Sequence, residues 1–75
     1  AVLRLSDFLS PHNADVLYDL ACARSLLEDI PGAEAYLRMA WSAGYRDAAH
    51  IEADPDLRNL RADPRYARFM QEVVR

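Results

Sequence analysis

Few residues in this 75-residue chain have the types and spacing that chemistry needs. Its one cysteine, Cys22, lies between Ala21 and Ala23, far from both histidines, His12 and His50. A lone thiol forms no internal disulfide, and this spacing makes no metal site. A reactive thiol wants a nearby base or an open helix N-terminus. Neither neighbours Cys22, which reads as a small packing residue. Asp47 and His50 have the spacing of a carboxylate–imidazole pair, but a capping aspartate beside a surface histidine is the simpler reading. Asp54, Asp56 and Asp63 suggest a divalent ion, yet two of the three precede proline, where capping accounts for them without a metal. Arg58, Arg61, Arg65 and Arg68 form a run suited to phosphate or an acidic partner. Interleaved with Asp56 and Asp63, they are expected to pair within the chain instead. No nucleophile sits at a strained elbow, and no glycine loop cradles a phosphate. With no acid, base and nucleophile to combine, the chain reads as non-catalytic, and no cofactor or metal is expected.

Composition narrows the class further. A chain this short buries only roughly 60 % of the surface it exposes when unfolded. With 52 % of its residues apolar or aromatic, it is nonetheless a folding sequence and not a disordered one. No apolar run is long enough for a membrane span or a signal-peptide core. A net charge of −3 disfavours nucleic acid, whose phosphates are normally met by excess Lys and Arg. All nine basic residues are arginine, and alanine is abundant, as in GC-rich genomes. The lone cysteine leaves the compartment open, with the cytoplasm favoured.

The elements that would position these residues are all helical. Residues 1–9 read as the tail of a helix with apolar positions Leu3, Leu5, Phe8 and Leu9. Neither an N-cap nor an initiator methionine precedes them, so residue 1 is expected to lie inside a helix whose start is missing. Ser10-Pro11-His12-Asn13 is a turn. Asn13 is placed to cap the first complete helix, with Asp15 in its first turn and Leu17, Leu20, Ala21 and Leu27 at helical spacing. Pro31 is expected at the first position of a second helix, which carries Ala33, Tyr36, Leu37, Ala40 and Trp41 on one side and stops at Gly44. The short connection requires the two to pack antiparallel. Asp47 then caps a brief helix through Ala53. Asp54-Pro55 and Asp63-Pro64 open two more, the last with Tyr66, Phe69, Met70 and Val73 on its apolar side.

A second pattern overlies this one. Leu3-Arg4-Leu5-Ser6 returns 34 positions later as Leu37-Arg38-Met39-Ala40, a period typical of stacked helix–turn–helix units. Leu20-Ala21, Ala33, Leu37 and Ala40 occupy the large and small sites of such a unit, where small residues let helix backbones approach closely. In these residues the chain resembles the tetratricopeptide repeat family. The stretch Asp54-Pro55-Asp56-Leu57 through Asp63-Pro64-Arg65-Tyr66 is similar to the segment that closes many bacterial arrays of this kind. Arg24 stands where the family usually has an aromatic residue, Glu28 replaces its turn glycine, and Tyr45 replaces its closing proline.

The resemblance implies an all-α, TPR-like antiparallel helix hairpin with short C-terminal capping helices. Residues 1–12 would end a preceding repeat, 13–45 make one full repeat, and 46–75 cap it. It implies a non-catalytic scaffold for protein–protein interaction, part of a larger protein or complex. The alternatives are a small structural subunit fixed in a large assembly, or the regulatory C-terminal tail of an enzyme. Family ligands lie on the concave surface, which the register assigns to Asp15, Tyr18, Asp19, Cys22 and Ser25. Tyr18 and Cys22 stand where a clamp for acidic tails would need lysine and asparagine, so a basic or apolar peptide is the expected ligand. Trp41 and Tyr45 are core residues by default and an aromatic interface patch if the cap leaves them open. One and a half repeats fall short of the three needed for independent stability. Leu3, Leu5 and Phe8 are therefore expected to be covered by a protein partner, adjoining repeats or a second copy in a homo-oligomer.

Overall fold

A computed structural model describes residues 12–74, and every described element is helical. Helix α1 (His12–Leu26) and helix α2 (Ile30–Ala43) make the most extensive contact in the molecule. Helix α3 (Ala48–Ala53), a 3₁₀ turn (Pro55–Leu57), helix α4 (Arg58–Arg61) and helix α5 (Pro64–Phe69) follow, and α5 runs on as a π-helical turn (Met70–Val74). The expectations placed on Leu3, Leu5 and Phe8 lie outside the described residues.

Aspartates start most of these elements. The Asp29 carboxylate accepts from the Gly32 N–H at 3.2 Å, so α2 begins at Ile30, one residue before the position expected from Pro31. A Cβ at position 32 would press on that carboxylate, which would have to shift to accommodate it. Asp47 caps α3 through the His50 N–H, Asp54 caps the 3₁₀ turn through Asp56, and Asp63 caps α5 through Arg65, all at 2.9–3.0 Å. Asn13 is not a cap: it already lies within α1.

Both long helices end in the same left-handed closure. At the end of α2, Gly44 has φ 120°; its N–H donates to Trp41 O and the Tyr45 N–H to Ala40 O. At the end of α1, Glu28 takes this role with φ 62°, its N–H donating to Ser25 O and the Asp29 N–H to Arg24 O. This double bond pattern satisfies carbonyls that a helix end leaves orphaned.

The core lies between α1, α2 and the C-terminal segment. Ala21, Ala33 and Ala40 are fully buried with Leu37, so the two backbones approach closely. Ile51, Leu57, Leu60 and Phe69 close the other side. The periodicity of α1 pointed to Leu17, Leu20, Ala21 and Leu27 as its apolar side. Of these, Ala21 is buried and Leu17 packs against the core, joined by Ala14, Tyr18, Cys22 and Ser25, while Leu20 and Leu27 are 38 % and 72 % exposed. α1 is apolar on two opposite sides, and hydrophobicity alone does not choose between them.

Candidate functional site

The inward choice is fixed by polar chemistry from the far end of the chain. The Tyr18 hydroxyl donates to Asp54 Oδ2 at 2.5 Å, and Cys22 Sγ lies 3.7 Å from the same oxygen. His50 Nε2 is 3.4 Å from it, and the Asp56 N–H donates to Asp54 Oδ1. One carboxylate thus gathers α1, α3 and the 3₁₀ turn. The Tyr45 ring stacks on Tyr18 with centroids 4.2 Å apart and planes 8° from parallel, and His50 tilts against Tyr18 at 5.7 Å.

Electrostatics make this cluster a closed one. Burial, then the bond to Asp54, holds the Tyr18 phenol far above its usual range. Burial and the Asp54 charge push the Cys22 thiol up to about 11, so it stays protonated and weakly nucleophilic at neutral pH. For Asp54, burial pulls upward, but the donors Tyr18 and Asp56 N–H, with His50 nearby, prevail and hold the carboxyl below its usual value. The ligand atoms of Cys22, Asp54 and Asp56 lie within 4.8 Å of one another, the spacing of a cation site. Asp54 is already committed to its donors, and Cys22 favours the neutral thiol. Asp63, grouped with these acids by sequence, turns to the Arg65 N–H instead.

Ser25 is the second tie. Its hydroxyl accepts from the Leu60 N–H at 3.2 Å, satisfying a first-turn donor of α4, and its carbonyl accepts from Asn59 Nδ2 at 3.0 Å. Tyr18, Cys22 and Ser25 therefore share one face, as the register requires, but the chain's own C-terminal segment covers it. Asp15 and Asp19 stand apart from them, exposed on α1. Trp41 packs edge-on against Phe69 at 6.1 Å, and the Arg46 guanidinium lies 5.2 Å over its ring while donating to the Trp41 carbonyl. Trp41 and Tyr45 are both half-buried, at the edge of the core.

Two arginines of the run, Arg61 and Arg65, pair within the chain, though not with the aspartates beside them, while Arg58 and Arg68 are exposed. Arg61 donates to the carbonyls of Ile51 and Asp54 at 2.8 and 2.6 Å, and Arg65 reaches Glu34 at 3.4 Å. Glu34 also holds Arg38, which bridges to Glu72 at 2.7 Å. No local signal marks Asp54 as a hub, because a capping aspartate before proline looks the same with or without long-range partners.

The chain matches no protein-family model, no curated protein and no solved structure.

Proposed function

We propose that the chain is a non-catalytic protein–protein association module of tetratricopeptide type, working within a larger protein or complex. The observation that supports this reading is the outer side of α1. Val16, Leu20, Ala23 and Leu27 recur at i, i+4, i+7 and i+11, opposite the side that packs on α2. Leu20, Ala23 and Leu27 are exposed, and Leu26 beside them is 58 % exposed. A contiguous apolar stripe on a folded surface marks a place for a partner. The 34-residue echo and the Leu20-Ala21, Ala33, Ala40 pattern support the tetratricopeptide assignment.

The test is the stability of Leu20→Glu and Leu27→Glu in urea at high dilution, followed by far-UV circular dichroism. Residues kept for a partner leave the dilute chain within about 0.5 kcal/mol of wild type. A loss of more than about 3 kcal/mol places both leucines in the fold of the single chain and ends the reading.

A further inference from the structure

We propose that the partner on this stripe is a second copy of the chain, with the two α1 helices side by side, parallel, about a two-fold axis. The proposal rests on the association reading above and names its occupant. The stripe has the alternating three- and four-residue spacing of a coiled-coil seam: Asn13 and Leu20 stand at a positions, Val16 and Ala23 at d, and Leu27, one residue past the end of α1, continues the spacing. Its flanks carry the charges that such a seam uses to choose a partner. Asp19 is then a g position and Arg24 the e position five residues on, which parallel pairing sets opposite each other across the seam. Both are exposed, and Arg24 makes only a long contact, 3.7 Å, with Asp29 of its own chain.

Two-fold symmetry makes the Asp19–Arg24 contact twice, so one surface is complementary to itself in charge as well as in apolar content. An antiparallel pair would set like flanks together and lose both contacts. Asn13 strengthens the argument, because a single asparagine at an a position fixes register and strand number. It lies half-buried near the start of α1. The opposite side of α1 is already filled by α2 and the C-terminal segment. Two heptads bury less than a standard interface, so the dimer is weak and concentration-dependent.

Sedimentation equilibrium of the full chain, from low micromolar to millimolar, tests this. The expected mass rises from 8.5 kDa toward twice that value. Leu20→Glu weakens pairing by roughly a hundredfold, since it puts two like charges into the seam. Asp19→Arg weakens it by roughly tenfold, and adding Arg24→Asp restores it, because only parallel pairing places position 19 against 24. Circular dichroism confirms that each variant is folded. A chain monomeric throughout the range overturns the proposal, as does a dimer indifferent to Leu20→Glu, or Asp19→Arg left unrescued by the second change. If the monomer keeps its stability on Leu20→Glu, the association reading survives and only self-pairing fails. If that stability collapses, both fail.

Discussion

Tyr18 and Tyr66 both place a hydroxyl in the interior, and the two have opposite circumstances. Tyr18 donates to an ionised carboxylate, whereas the Tyr66 hydroxyl is buried without a well-formed hydrogen bond; burial first, then the charge and a longer polar contact of Glu52, pushes its pKa up. A bond to a charged group contributes about 1.5–3 kcal/mol, while an unpaired buried hydroxyl only costs desolvation. Tyr18→Phe is therefore expected to lower the unfolding free energy by about 2 kcal/mol. Tyr66→Phe leaves it unchanged or raises it by about 1 kcal/mol. Parallel urea titrations of the two variants check the contrast, and equal losses would refute it. The same chemical deletion thus separates a tie from a tolerated defect.

At the scale of elements, the end of α1 is where this fold is built against a residue's preference. Left-handed backbone costs a non-glycine residue about 1–2 kcal/mol, and Glu28 holds it at φ 62°. Glycine removes that cost but loses more entropy on folding, so Glu28→Gly is expected to stabilise by about 0.5–1 kcal/mol, read as a higher urea midpoint at unchanged slope. A destabilised Glu28→Gly would show that the side chain has a further role. Element starts were legible in the sequence where the chemistry is local. Asp47, Asp54-Pro55, Asp63-Pro64 and Gly44 each mark a boundary with residues inside one turn. The face of α1 was not legible, because leucines and small residues alternate around it and both sides look fit for a core. Its rotation is decided by Asp54 and by the Leu60 amide, which bond residues 36 and 35 positions earlier. Helical periodicity carries no information at that range. For the same reason Tyr18, Cys22 and Ser25 looked like an open surface, and Arg61, expected to pair with neighbouring aspartates, is instead a clasp on two carbonyls.

On the scale of the whole molecule, these ties make one cooperative body from a helix pair and a chain of short turns that bury little alone. Stability should therefore follow the titration of groups buried at the seam. The Cys22 thiol ordinarily titrates at 9.0 and is raised to about 11 in the folded chain. The folded state holds its proton more tightly, so this contribution is complete below pH 9 and is lost as pH climbs toward 11. Urea midpoints from pH 8 to 11 should fall less steeply for Cys22→Ala than for the natural chain, and identical slopes would remove the thiol from the account. The single tryptophan stands where α2 meets the C-terminal helix, its ring perpendicular to that of Phe69 and its face under Arg46. Nature has thereby installed a label-free optical probe at the clasp: in rapid-mixing refolding, its emission times the moment the tail docks, while ellipticity times the coiling of the two long rods.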